Sequence, residues 1–304
     1  MRISNSTLLS AMNRFISQHN QKLEKINQQM MTQQRIHLPS EDPIASTRLM
    51  QINRAQSDIK QHTDNIDGLS NSLNHQAGRV MAINKQLVVI KDRLLAASNN
   101  VKSQTDVSGI ADEMNYMLEA VVSELNGKNS EGRYLFSGTA SNTKPIELDA
   151  NNTYVFKGNS DSRQTGVGHG VKIIENVHLQ SAFADPTDEL AVLNKLKTLC
   201  DEIKQGNLST TSHTTKIDEM MGLIDKTSDQ MGVTLTELGI RDKHCKLLKR
   251  NHEDMELSNA TIQENLGGLD LAESYSELIN VMAVANANYT TFKQINGLSL
   301  FNLI

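Results

Sequence analysis

The stretch LSNSLNHQAGRVMAINKQLVVIKDRLL, residues 69–95, decides how we expect this chain to fold. Its apolar residues recur every three or four positions, as at Leu73, Ala77 and Val80, which is the spacing of one face of an α-helix. The pattern runs from residue 45 to 101 without a proline, so it predicts a helix about 85 Å long. A compact chain of this length has a radius of gyration of only about 19 Å. The stretch therefore predicts an elongated rod of long helices.

A capping motif, PSEDPIAS at residues 39–46, marks where this helix begins. Asp42 can accept a hydrogen bond from an unpaired amide of the first turn. Pro43 stands at the first helical position, where its missing N–H costs nothing. We therefore take Pro39, Asp42 and Pro43 as the helix-start motif.

The helical period stops near Gly132 and returns after Leu179. Short runs rich in β-branched and aromatic residues, separated by Gly, Asn, Asp and Ser, lie between and predict a small β domain. The runs are RYLFSGT (133–139), KPIEL (144–148), NTYVFKG (152–158) and VKIIENVHL (171–179). Within this insert GVGHG, residues 166–170, superficially looks like a phosphate loop. No helix with Lys-Ser/Thr follows it, so we expect a turn or loop.

The two ends of the chain carry matching apolar stripes, and residues 278–304 contain Lys293 as their only charge. Burying six or seven large side chains of this arm would gain roughly 10–20 kcal/mol. Ordering roughly 27 backbones costs roughly 1–2 kcal/mol each, so an isolated arm stays disordered. We therefore expect the arms to pair as a coiled coil and to order fully on assembly. The candidate assembly-interface residues are Leu8, Met12, Phe15, Leu23, Ile26, Leu278, Met282, Ala285, Tyr289, Phe292, Leu298, Leu300 and Phe301.

A glycine pair, Gly267-Gly268, interrupts the C-terminal helical pattern, which restarts one step out of phase. The restarted seam runs through Leu271, Tyr275, Leu278, Met282, Ala285, Tyr289 and Phe292. Such a phase break predicts a domain boundary, because the helix on each side must face a different partner. The fold class expected is mainly α with a small β domain. Its domains are a terminal domain of paired arms (1–38 and 267–304), a helical rod domain (39–131 and 186–266) and a small β-rich domain (132–185).

Composition excludes several classes of function. Aromatic residues make up 4% of the chain and Trp is absent, so few side chains can wall a deep catalytic pocket. Net charge is −5 with both signs interleaved, which gives no basic patch for nucleic acid. No run of 18 apolar residues could span a membrane. The first 20 residues lack the apolar core of a Sec signal peptide.

Candidate chemical groups are few. Cys200 and Cys245 are the only cysteines, too few for a disulfide framework, and we expect buried or free thiols. His244, Cys245 and His252 could be imagined as metal ligands, but His244 and Cys245 point about 100° apart on one helix. We therefore predict packing for these residues, no metal site, no cofactor and no enzymatic activity.

Four motifs occur in a fixed order: MRIS at 1–4, RIHLPSEDPIAS at 35–46, NSEGRYLFSGT at 129–139 and NGLSLFNLI at 296–304. Together they give the chain a resemblance, over essentially its whole length, to the bacterial flagellar hook-associated protein 3 family of hook–filament junction proteins, which is flagellin-like. Flagellins usually have a different sequence at the second and third motifs, so these two motifs favour a junction protein over a flagellin.

The resemblance implies a coiled-coil terminal domain, a helical-bundle domain and an outer β-rich domain. The implied function is that of a structural adaptor that joins hook to filament and is required for filament assembly and motility. The implied partners are hook-associated protein 1, flagellin, copies of itself in a ring, and an export chaperone that binds the C-terminal arm. It also implies export through the flagellar type III apparatus to an extracellular position at the hook–filament junction. The two cysteines depart from the family, whose axial proteins are typically cysteine-poor.

Two alternatives stay open. One is a minor flagellin that polymerises into filament, which would grow long filaments from purified protein alone. The other is a type III-secreted helical effector or enzyme, which would have a pocket with perturbed ionisable groups. If the adaptor interpretation holds, a charged residue at Leu298 or Phe301 should block incorporation and leave the monomer folded.

Overall fold

The structure, a computed structural model, describes the backbone of residues 2–98, 104–205 and 210–301, and the side chains of residue 7 and of 10–98, 108–205 and 214–294. Helix accounts for 72% of it, which confirms the mainly α class with a small β insert. The described helices are α1 (Arg2–Thr32), α2 (Pro43–Ala97), α3 (Gln104–Leu125), α4 (Gln180–Phe183), α5 (Ala191–Gln205), α6 (Thr210–Gly267) and α7 (Leu271–Phe301). The strands are β1 (Ile146–Leu148), β2 (Tyr154–Phe156), β3 (Gln164–Gly168) and β4 (Val171–Ile174).

The chain forms two compact units, one of residues 1–59 with 253–304 and one of residues 60–252. The division into three domains stays a prediction, since these units divide the helices α2 and α6 without separating the β insert.

Helix α2 supplies the central face of the core of the 60–252 unit. It runs unbroken from Pro43 to Ala97, and the side chains predicted from its period are the buried ones. They pack in one apolar core with side chains from α3, α5 and α6. The buried α2 residues of this core are Ile66, Leu69, Leu73, Val80, Ile83, Leu87, Ile90, Leu94 and Ala97.

The β insert consists of two separate antiparallel hairpins, β1–β2 and β3–β4. In the first, Ile146 pairs with Phe156; in the second, Gln164 pairs with Ile174 and a register shift falls between Gly166 and Gly168. The expectation of a turn or loop at 166–170 was therefore partly wrong, because Gly166 to Gly168 belong to β3 and only the end of the segment turns.

The expected strand at 133–139 was wrong. Tyr134 makes a single bridge to Lys128, and the rest is irregular. Leu135 and Phe136 are consecutive and both buried, whereas neighbours in a strand point to opposite faces. Gly138 then has a φ of +68°, which leaves the strand region altogether. The segment is a loop pressed into the core.

In the unit of residues 1–59 and 253–304, α1 packs against α7. The predicted break is present: α6 ends at Gly267 and α7 begins at Leu271. Asp270 caps the new helix, because its Oδ1 accepts hydrogen bonds from the amides of Ala272 (2.8 Å) and Glu273 (3.1 Å).

Candidate functional site

The paired helices α1 and α7 present one face to each other and other faces to solvent. On α1 the half-buried or buried positions repeat in steps of four and three, and α7 shows the same repeat. This is the heptad spacing of a coiled-coil seam, with Ile26 at 2% and Val281 at 5% exposure as its most buried members. The seam positions are Met12, Ile16, His19, Leu23, Ile26 and Met30 on α1, and Ser274, Leu278, Val281, Ala285, Asn288 and Phe292 on α7.

The predicted interface residues divide into three groups. Met12, Leu23, Ile26, Leu278, Ala285 and Phe292 lie in the seam within one chain. Phe15, Met282 and Tyr289 are exposed, at 56%, 49% and 65%. Leu8, Leu298, Leu300 and Phe301 lie outside the described side chains.

The seam of α7 is rotated from the phase that the sequence suggested. The pattern placed Tyr275, Met282 and Tyr289 on the seam, whereas the structure buries Ser274 and Val281 there and leaves those three exposed. The reason is that α7 is apolar on most of its faces, so hydrophobicity alone does not fix its rotation. Ser274, a small residue, is buried at the seam.

An outer stripe of α7 is left uncovered as a result. It consists of five exposed large side chains, and successive steps of about 100° place them within an arc of about 80°. We call this set the outer α7 stripe: Leu271, Tyr275, Ile279, Met282 and Tyr289. Exposed apolar surface that is this continuous usually marks an interaction site.

The helix-start motif lies in the same unit of residues 1–59 and 253–304. Pro43 is the first residue of α2, Pro39 lies in the preceding turn, and Asp42 Oδ1 accepts a hydrogen bond from Ala45 N at 3.0 Å. That bond, with a smaller contribution from Arg35, lowers the pKa of the Asp42 carboxyl. A charged carboxylate at this position also suits the positive end of the helix dipole.

Arg35, which we did not single out from the sequence, connects two segments of this unit. One is the link between α1 and α2, and the other is the end of α6. The backbone N–H of Arg35 donates to Gly267 O at 2.8 Å, and its guanidinium donates to Leu266 O at 2.8 Å and to Asp42 Oδ2 at 3.4 Å. Leu269 N donates to Gln33 O at 3.2 Å beside it. The one available signal was its place at the head of RIHLPSEDPIAS.

The chemical groups considered from the sequence do not converge. Within the described residues, no group of three or more His, Cys, Asp or Glu side chains could hold a metal ion. His244 is exposed, Cys245 is buried and His252 is half-buried. Both cysteines are buried free thiols as expected; burial raises the pKa of Cys200 to about 12 and also raises that of Cys245. Such thiols are poor nucleophiles.

A membrane-spanning helix is not found in the described part of the chain. This finding agrees with the absence of a long apolar run in the sequence.

Comparison with known proteins agrees with this architecture. Residues 3–141 match the bacterial flagellin N-terminal helical region. Flagellar hook-associated protein 3 of Escherichia coli is 23% identical over 317 residues, which cover 100% of this chain and 99% of that protein. The protein of the same name from Salmonella typhimurium is 22% identical over 315 residues, with the same coverage.

Solved structures have the same fold. A flagellar hook-associated protein from Vibrio parahaemolyticus aligns with a TM-score of 0.70 and 27% identity, over 75% of this chain and 100% of that one. The flagellar junction protein FlgL from Legionella pneumophila aligns with a TM-score of 0.59 over 73% of this chain and 100% of that one, and at 14% identity it shows the fold alone. The chain is thus similar to the flagellin N-terminal helical region over residues 3–141 and to flagellar hook-associated protein 3 over its whole length, in agreement with the resemblance of its motifs.

Proposed function

We propose that this protein is a structural adaptor of the bacterial flagellum, joining the hook to the flagellin filament. In this role it contacts hook-associated protein 1 on one side and flagellin on the other, and its copies associate in a ring. It acts by packing between neighbouring subunits and has no substrate. Filament assembly, and hence motility, depends on it.

The observation that carries this proposal is the outer α7 stripe. Pairing with α1 covers one apolar face of α7 and leaves Tyr275, Met282 and Tyr289 in solvent, although the stripe contains no charged side chain. Burying a large apolar side chain gains about 1.5–3 kcal/mol, so five of them supply a substantial association free energy. A neighbouring subunit of the flagellar axis is the partner that we assign to this stripe.

The terminal pair forms the axial part in this proposal, as a domain of residues 1–38 and 267–304. Residues 39–131 and 186–266 form the helical-bundle domain, and residues 132–185 form the outer β-rich domain. A flagellar chaperone binds the C-terminal arm before export through the type III apparatus, which delivers the protein to the outside of the cell. The candidate residues keep their proposed role in the assembly interface. Those that lie in the seam act indirectly, because they hold α1 and α7 together and so fix the surface that the pair presents to a neighbouring subunit.

The test introduces charge into the stripe. Met282→Glu and Tyr289→Glu should leave the helical signal and melting temperature of the monomer unchanged, because both side chains are already exposed. In a strain that lacks the native gene, these variants should fail to hold filaments on hooks. Asn280→Glu is the matched control, since it adds the same charge to an exposed position on the opposite side of α7.

Electron microscopy of the hooks and immunogold labelling at the filament base provide the readout. If the stripe variants hold filaments as well as the control does, the assigned interface is wrong. If the deletion strain itself keeps its filaments firmly attached, the adaptor function is wrong.

A minor flagellin is the second candidate, and the match of residues 3–141 to the flagellin N-terminal region favours it. The two functions differ in self-assembly. Purified protein that grows long helical filaments without other components would replace the adaptor proposal with this one.

A further inference from the structure

Helix α6 carries a second uncovered apolar stripe, and this one lies within the unit of residues 60–252. Val233, Ile240 and Leu247 follow one another at intervals of seven residues, and each side chain is more than half exposed. Seven residues make almost two full turns, so the three side chains lie nearly in line along the helix. We call this set the outer α6 stripe.

The outer α6 stripe faces away from the core of its unit. The buried side chains of this part of α6 are Met231, Thr234, Leu238 and Cys245. Successive steps of about 100° along the helix place the stripe roughly 150° away from them. A continuous row of large aliphatic side chains in solvent usually marks an interaction site.

The residues of this face are complementary to a second copy of the same helix that runs in the opposite direction. When Ile240 lies opposite Ile240 of the second copy, Val233 lies opposite Leu247, because both are seven residues from the centre. Asp229 and Arg250 are both exposed, and they lie on the same flank of the face at almost equal distances from Ile240. A carboxylate therefore meets a guanidinium at each end of the stripe.

A parallel pairing of the two helices fits less well. Asp229 lies only about 20° from the line through Ile240, so two parallel copies would bring their Asp229 carboxylates together. Like charges that face each other across an interface oppose association. The antiparallel arrangement separates these carboxylates, and it brings Glu237 opposite His244 of the second copy.

We propose that two copies of the free protein associate through their outer α6 stripes as an antiparallel, two-fold symmetric dimer. A contact between identical surfaces closes on itself and stops at two copies. Copies arranged around a common axis all point the same way along it, so this dimer belongs to the free protein and not to the ring of the proposed function. It requires no flagellar partner, and its failure would leave the proposed function unaffected.

Sedimentation equilibrium of the purified full-length protein over a range of concentrations measures this association. We expect a reversible monomer–dimer equilibrium, because the stripe is small compared with the interface of a permanent dimer. Ile240→Glu should raise the dissociation constant by more than about tenfold, since it brings two carboxylates together at the two-fold axis. Met81→Glu is the matched control, because Met81 is a similarly exposed apolar residue on α2 of the same unit.

Engineered cysteines test the direction of the pairing. Ile240→Cys should form a disulfide between two copies under mild oxidation, because the two positions meet at the axis. Val233→Cys should crosslink to Leu247→Cys and not to its own copy, which lies about 21 Å away along the helix. The native Cys200 and Cys245 are buried, so they should not compete in these reactions.

Charge exchange tests the register. Asp229→Arg and Arg250→Asp should each weaken dimerisation several-fold, and the double variant should restore it, because the opposite charges then face each other again.

Three outcomes would overturn the proposal. The first is a native protein that stays monomeric at every concentration, and the second is Val233→Cys that crosslinks to itself, which would indicate parallel pairing. The third is association that Met282→Glu abolishes and Ile240→Glu does not, since it would then belong to the outer α7 stripe.

Discussion

Side-chain amides hold the β hairpins to the helices. Asn126, just after α3, donates to Ile146 O (3.0 Å) and accepts from Ile146 N (2.9 Å), so it pairs with the strand as another strand would. Asn194 does the same with Tyr154, accepting from its N–H at 2.7 Å and donating to its carbonyl at 3.1 Å. Both asparagines therefore have a structural role in the β1–β2 hairpin.

Replacing Gly138 should damage the fold. Its φ is +68°, and a Cβ there would lie 2.2 Å from the backbone oxygen of Asn159. Gly132 has a similar φ of +78° but open space around it. We expect Gly132→Ala to lower the free energy of unfolding by about 1–3 kcal/mol through backbone strain alone. Gly138→Ala should cost more, because the Asn159 backbone must also move.

Urea unfolding of the two glycine variants beside the native protein measures the difference. Equal losses in both would show that the close approach of Asn159 is relieved without cost.

We expect Asp185 to make the stability of the fold depend on pH in the acid range. Its carboxylate accepts bonds from Lys195 Nζ (2.6 Å), Thr187 Oγ1 (2.6 Å) and two backbone amides. These bonds, that of Lys195 first, hold its pKa far below the usual range. Because the pKa of Asp185 is lower in the folded than in the unfolded chain, its carboxylate stabilises the folded state at pH values above the unfolded pKa of about 3.9. This stabilisation is lost as the pH falls below about 3.9 toward the folded-state pKa.

Asp185→Asn should therefore destabilise the protein at pH 7 and make its stability less dependent on pH between about pH 4 and pH 2. Thermal unfolding at several pH values measures both effects, with Asp229→Asn, at an exposed carboxylate on α6, as the control. A native pH profile that Asp185→Asn leaves unchanged would contradict this role.

Helix α7 shows how an element can be located by sequence and still be rotated wrongly. Its start after Gly267-Gly268 followed from the phase break, because a glycine pair without side chains weakens a helix there. Its inward face did not follow, since Tyr275 and Val281 are both suitable for a seam by composition. The close contact with α1 decided between them.

Arg35 should stabilise the contact between the α1–α2 link and the α6–α7 link. Replacing it by alanine removes donors to Leu266 O and to Asp42, and we expect a loss of about 0.5–1.5 kcal/mol for partly exposed hydrogen bonds. The loss should be local. Hydrogen exchange should accelerate at the amides of Gly268 and Leu269, and Arg54→Ala, an exposed arginine of α2, should leave both amides protected.

If the amides of Gly268 and Leu269 exchange at the same rate in the Arg35 variant and in the control, the backbone hydrogen bond from Arg35 to Gly267 is enough to protect them. In that case the side chain would serve the Asp42 cap alone.

The whole molecule is expected to complete its folding only in the assembled flagellum. Residues 295–304 contain no charged side chain, and the isolated arm lacks the burial needed to order itself. Phe301→Asp should therefore leave the helical content and melting temperature of the free monomer unchanged while preventing incorporation at hooks. A free Phe301→Asp monomer that melts early would show that this arm belongs to the monomer core.

The sequence by itself determined the features that depend on local pattern. The face of α2 with Leu73 and Val80, the cap at Asp42 and the break at Gly267-Gly268 follow from helical period, capping chemistry and glycine, which act over a few residues. Tertiary structure alone decided the rest. It placed Leu135 and Phe136 in a buried loop and rotated α7 toward α1, because each of these depends on which distant surface a segment meets.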